Sequence, residues 1–233
     1  MKNHSINRAV VVTASSKGIG KAVAKSFAAK GDRVMLFGRN EDTLKLASNE
    51  IEVETGYPVL YTVGNMSNSH DIKLLFENCV QHFSTVDVLF LNTGRPLRGR
   101  FLTFNDNDWQ EAFEETFLSY IRIIRNFLPL MQKHSNGFII ANLSAAIFAM
   151  EDAKGYYFSN TFRSAFAQFI KEMQCDLLMN NISINGIAPR NMRENEKGSR
   201  IYSLEDYTRL VQSICIQKDT PVSGSIFPVG VSF

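Results

Sequence analysis

No apolar run in this chain is long enough to cross a bilayer. The start, MKNHSINRAVVVTASS, has a polar lead and then too short a hydrophobic stretch for a secretory leader. The expectation is a cytoplasmic protein with no membrane partner. Cysteine is scarce: Cys79, Cys175 and Cys215 are odd in number, far apart and set among apolar or helix-like residues. That pattern argues against a disulfide framework and for reduced, packed thiols. His4, His70, His82 and His134 share no ligand spacing with one another or with the cysteines, so no metal site is expected. Excess charge is missing as well. A formal charge of +2 without any long block of one sign gives no basis for a nucleic-acid partner. Internal repeats, low-complexity tracts and linkers long enough to separate domains are also absent.

What is present is an alternation of short β-rich runs with longer helical patterns. Ala9 to Ala14, Arg33 to Gly38, Pro58 to Gly64, Val86 to Asn92, Gly137 to Leu143 and Ile182 to Ala188 are apolar or β-branched segments bounded by turn residues. They read as buried parallel strands. Helical patterns cover Gly18 to Ala29, Glu41 to Glu54, Ser69 to Phe83, Asp108 to Lys133 and about Lys154 to Met179, and SIFPV near the end could add a last strand. Repeated βαβ units imply right-handed crossovers and an α/β fold: a Rossmann-type, doubly wound parallel sheet in a single domain spanning 1–233. Hydrophobic residues at 45% and charged residues at 21% suit one such domain.

The stretch VVTASSKGIGKAVAKSFAAKG follows the first strand and opens the first helix. A pyrophosphate belongs there, because backbone N–H groups and the helix dipole favour an anion and glycines permit close approach. The loop resembles the nucleotide loop of the short-chain dehydrogenase/reductase family, Thr-Gly-x-x-x-Gly-x-Gly, in the style of the 3-oxoacyl-ACP reductases. Thr13, Gly18 and Gly20 match, while Ala14 stands where the first glycine usually is and must occupy a turn that tolerates a Cβ. LNTG resembles the family's Asn-Asn-Ala-Gly, with Asn92 and Gly94 kept; DWQEAFEETF resembles its interface helix; SINGIAPR resembles Asn-x-x-x-Pro-Gly, with Arg190 in place of the glycine.

The resemblance implies a nicotinamide dinucleotide held by Thr13, Ser15, Ser16, Lys17, Gly18, Ile19, Gly20, Arg39, Asn65, Met66, Asn92 and Gly94. An acidic residue at the end of the second strand would hold a bare ribose. Here the chain reads FGRNED, and Arg39 with Lys17 suits a 2′-phosphate, so NADP is expected before NAD. Both cations also have a plainer reading as solvated surface groups. Asn65 replaces an aspartate that contacts adenine in the family, and an amide can still bond the base.

In the family, a serine orients the carbonyl, a tyrosine moves the proton, a lysine lowers the tyrosine pKa and an asparagine supports a water relay. Ser144 falls where the serine belongs. Counting thirteen residues on reaches Tyr157, with Thr161 one turn later. Counting back from SINGIAPR puts Ser159 at the tyrosine position and Arg163 at the lysine position. The backward register is preferred, because an insertion of two residues inside a helix would rotate every later side chain by about 200°. Thr116, Ser144, Ser159 and Arg163 then stand at the four family positions, and Tyr157 is the remaining phenol that could reach the cleft. A free phenol titrates near ~10 and needs a nearby cation to work at neutral pH. The tyrosine pair also has a packing reading, at a helix start or a subunit interface.

Three readings follow from the resemblance. One is an oxidoreductase acting on a carbonyl or alcohol substrate; the second is a catalytically impaired dinucleotide-binding protein serving as sensor or partner subunit; the third is a chain in which Ala14 and Arg190 crowd the site and nucleotide binding is lost. Only forty-five residues run from Pro189 to the end, so the substrate lid is expected to be short. Arg95, Arg98 and Arg100 on one side and Arg190 and Arg193 on the other fit an anionic substrate or, more plainly, a solvated loop. Apolar residues at Phe113, Phe117, Tyr120, Ile121, Ile124 and Phe127 exceed what one helix face needs, and with the helix from Lys154 they resemble the family's dimer interface. A homodimer or homotetramer is expected.

Overall fold

A computed structural model describes residues 7–94, 97–134, 136–148, 155–190, 202–216 and 221–230. Seven strands form one parallel sheet in the order β3-β2-β1-β4-β5-β6-β7. They are β1 (Ala9–Thr13), β2 (Arg33–Gly38), β3 (Val59–Val63), β4 (Val88–Leu91), β5 (Gly137–Asn142), β6 (Ile182–Pro189) and β7 (Ile226–Val229). The chain works outward from β1 in one direction, then returns to start β4 on its other side. That reversal opens a crevice at the carboxyl ends of β1 and β4, the usual ligand position in open α/β sheets.

The strands are apolar along their whole length because both faces are covered. Val11, Met35, Phe37, Leu89 and Ile139 face α3 (Ser69–His82), α5 (Ser119–Lys133) and α6 (Tyr157–Leu178). Their neighbours Val10, Val12, Leu36, Phe90 and Ile140 face α1 (Gly18–Ala28), α2 (Glu41–Thr55) and α7 (Leu204–Ile214). Alternation along each strand thus divides the apolar residues between two cores.

Three elements differ from the sequence expectation. The helix expected from Asp108 begins as α4 (Asp106–Phe113), since Asn105 accepts from the N–H groups of Asn107 and Asp108 while Asp108 accepts from the Asn105 N–H. It is not continuous to Lys133: a π-helical turn at Glu114–Leu118 separates α4 from α5. The segment after Ser203, to which the sequence reading assigned no element, is α7. It opens on a Ser203–Asp206 capping box and sends Tyr207 and Val211 into the sheet's outer core. It is a layer of the fold. The remaining lid stretch, 191–201, lies outside the described residues, as do Arg95 and Arg193.

Candidate functional site

A cavity of about 420 Å³ runs along the carboxyl ends of the central strands, within the range of roughly 300–1,000 Å³ usual for small-molecule sites. Gly64, Asn65 and Met66 after β3 line one end, Gly38 and Arg39 after β2 follow, and Ala14 with Ser16 to Ile19 forms the middle. Asn92, Thr93 and Gly94 after β4, then Asn142 and Arg163, form the far end, with Glu115 on the opposite wall.

The turn after β1 is held from three sides. The Thr13 hydroxyl donates to the Asn92 carbonyl and accepts from the Asn92 N–H, both at 2.7 Å. The Asn92 amide donates to the Ala14 carbonyl at 3.2 Å. Ser15 accepts from the Phe37 N–H at 3.0 Å and gives its own N–H to the Phe37 carbonyl at 3.2 Å. Thr13 and Ser15, expected as ligand contacts, are fully buried braces between strands and do not line the cavity. Gly20 also acts from beneath: a Cβ there would stand 2.5 Å from the Ala14 carbonyl oxygen, so only glycine lets α1 approach the turn. Ala14 adopts φ +45, the left-handed region the family's glycine serves, and Gly18 follows at φ +59.

The start of α1 is open to a ligand. Side chains cap α2, α3, α4 and α7, through Asn40, Asn68, Asn105 and Ser203, but Lys17 makes no such bond at α1. Ser16, Lys17, Gly18 and Ile19 line the cavity at this helix start, and uncapped first-turn N–H groups with a lysine are a donor set suited to a pyrophosphate.

At the far end, Arg163 donates to the Leu143 carbonyl at 3.1 Å and to the Thr93 hydroxyl at 3.0 Å. Burial pushes its guanidinium below the usual value, opposed by the nearby Tyr120 and Tyr207 phenols and Glu115; it remains a cation at neutral pH. Ser144, next to Leu143, accepts from the Ala146 N–H at 3.3 Å and caps a short turn at Ala145–Ile147. Ser159 is buried one turn before Arg163, and Thr116 is buried in the π turn. Tyr157 lies elsewhere: its ring meets Phe101 at 5.8 Å and Phe104 at 6.4 Å between centroids, and it is half-exposed outside the cavity. Arg98 sits over the Tyr156 ring at 5.5 Å. Of the sequence-based candidates, Ser16, Lys17, Gly18, Ile19, Arg39, Asn65, Met66, Asn92, Gly94 and Arg163 share one cavity. Ser144, Tyr157 and Ser159 do not line it.

Thr93, Asn142 and Glu115 were missed. Thr93 lies between the candidates Asn92 and Gly94 just after β4, and Asn142 ends β5, so the carboxyl ends of the strands could have pointed to both. Glu115 had no sequence signal, because the π turn sets which face of the helix it occupies.

The glycine-bearing turn after β1, the switch-point crevice and the doubly wound parallel sheet together define a Rossmann-type α/β protein. The pattern of the short chain dehydrogenase family matches residues 8–199, so the chain belongs to that family. An oxidoreductase of Staphylococcus epidermidis, itself uncharacterized, is 25% identical over 182 residues, 78% of this chain and 76% of that one. The 3-oxoacyl-[acyl-carrier-protein] reductase of Chlamydia muridarum is 25% identical over 189 residues, 81% and 75% of the two chains. L-Sorbose reductase from Gluconobacter frateurii, solved with NADPH and L-sorbose, superposes with a TM-score of 0.87 at 23% identity, covering 96% of this chain and 95% of that one. The fold is theirs. Among the described residues, no helix is long and apolar enough to cross a membrane.

Proposed function

We propose that the cavity binds NADP(H) and that the chain is an NADP-dependent oxidoreductase acting on a carbonyl or alcohol substrate. The observation that carries this is the continuous cavity joining the uncapped start of α1 at Lys17, Arg39 beyond β2 and the cationic Arg163 at the far end. Lys17 and the first-turn N–H groups hold the pyrophosphate, Arg39 the 2′-phosphate, and Asn65 and Met66 the adenine. NADP supplies or accepts the hydride when bound. Arg163 then stabilises negative charge developing on the substrate oxygen, and water supplies the proton that a phenol supplies elsewhere in the family.

A second reading, binding without turnover, is favoured by one observation: neither Tyr157 nor Ser159 lines the cavity. NADPH fluorescence titration, followed by NADPH oxidation across simple carbonyls, separates the two. Binding with turnover that falls at least tenfold in Arg163→Met and stays within twofold in Tyr157→Phe supports the first reading. Binding without turnover on any carbonyl supports the second, and complete loss of activity in Tyr157→Phe would return the phenol to the mechanism.

We also infer a homodimer built on α5 and α6, where Ile121, Leu128, Phe169 and Met173, with Phe117 of the adjoining π turn, remain partly exposed beside the core. Light scattering at micromolar concentration checks this, and a monomer would count against it.

A further inference from the structure

Arg39 and Glu115 reach toward each other from opposite walls of the cavity. Arg39 leaves the carboxyl end of β2, whereas Glu115 comes from the π turn between α4 and α5. Arg39 Nη1 lies 3.9 Å from Glu115 Oε1. Gly94 sits beneath them: a Cβ there would stand 3.3 Å from Glu115 Oε1 and 3.6 Å from Arg39 Nη2. All three residues line the cavity, so the pair crosses it above the end of β4. The side chains are 67% and 35% exposed, which makes this a loosely held pair that a ligand can open.

On the reading that NADP(H) occupies the cavity, we propose that Glu115 is a specificity-determining residue: it competes with the 2′-phosphate for Arg39 and so tempers the preference for NADP(H) over NAD(H). A 2′-phosphate draws the guanidinium away from the carboxylate. A bare 2′-hydroxyl carries no charge and leaves the pair as it stands. Removing the carboxylate therefore helps the phosphorylated cofactor alone. The gain is about fivefold, the scale of one charge pair at ~4 Å in a wet site. Glu115 acts through Arg39 and touches no reacting atom, so it is a positioning residue whose readout is a ratio of affinities.

The experiment is a fluorescence titration of NADPH and of NADH into wild type, Glu115→Gln, Arg39→Met and the double variant, at low salt. Glu115→Gln is expected to tighten NADPH about fivefold and to move NADH less than twofold. In the Arg39→Met background the same change should move NADPH less than twofold, and added salt should shrink the wild-type contrast. Glu115→Ala, with its urea midpoint measured alongside, guards against a misfolded amide variant and should show the same ratio. Equal shifts for both cofactors, no shift, or an undiminished NADPH effect in the Arg39→Met background would overturn the inference while leaving the dinucleotide reading intact. If wild type binds neither cofactor, the proposed function and this inference fall together.

Discussion

Tyr207 donates its phenolic hydrogen to the amide oxygen of Asn142, 2.9 Å away, and so ties helix α7 to the floor of the cavity. The Asn142 amide passes the restraint on to Asn92 Oδ1 at 2.8 Å, and Asn92 holds the Ala14 carbonyl. All of this is buried, where a lost partner leaves a polar atom unsatisfied. Tyr207→Phe is expected to lower stability by about 1–3 kcal/mol and to weaken NADPH binding. Urea unfolding and fluorescence titration measure the two effects, and an unchanged midpoint would show that the amide finds another donor.

Ala14 holds φ +45 in a turn built for glycine. The left-handed conformation costs an L-residue about 1–2 kcal/mol, while glycine costs about 0.5–1 kcal/mol more than alanine to order. The strain outweighs the ordering cost. Ala14→Gly should therefore stabilise the chain by about 0.5–1 kcal/mol, seen as a higher urea midpoint. A lower midpoint would mean that the methyl contributes packing worth more than the strain.

Arg8 clasps Asp32 through Nη2 at 2.7 Å and Nε at 3.3 Å, and its Nη1 donates to the Cys215 carbonyl near the end of α7. Arg8 and Asp32 are 9% and 3% exposed. Removing one partner of such a buried pair strands the other charge. Asp32→Ala is expected to cost about 3–5 kcal/mol in denaturant unfolding. A loss under about 1 kcal/mol would show that water reaches Arg8.

Burial pushes the thiols of Cys79 and Cys215 up to about 12, whereas Cys175 is exposed. A raised acid is favoured in its protonated form by folding, so its contribution is complete below the unfolded value near ~8.5 and is lost as pH climbs toward 12. Burial moves the Tyr120, Tyr202 and Tyr207 phenols in the same direction. Urea midpoints should hold steady from about pH 7 to 8 and fall above about pH 9. A thiol reagent at about pH 8 should label Cys175 at once and the other two only on unfolding. Three fast thiols in the folded protein would contradict the burial.

The doubly wound sheet was readable because each strand is an uninterrupted apolar run, and runs such as AVVVT must be covered on both faces. The tight turn from β1 into α1 was readable from Gly18 and Gly20 in their place between strand and helix. The bond of Ser15 to Phe37 was not readable, because the same hydroxyl can serve a ligand or a neighbouring strand and only the turn's path directs it. Asp108 misled as a helix start because its carboxylate completes a cap begun at Asn105. The orientation of Glu115 depends on one extra residue wound into a π turn, a hydrogen-bond choice that apolar periodicity does not record. Tyr157 was drawn aside by Phe101 and Phe104, which lie more than fifty positions earlier in the chain.

The edge-to-face rings that join α4 to α6 include Trp109, the chain's one tryptophan, set 4.6 Å from Phe158 and 6.0 Å from Phe162. Tryptophan emission, excited selectively at the red edge where tyrosine does not absorb, therefore comes from a single, known position. Its colour and intensity report whether those two helices remain docked, independently of the sheet behind them, so the wall that carries Glu115 has its own built-in optical gauge.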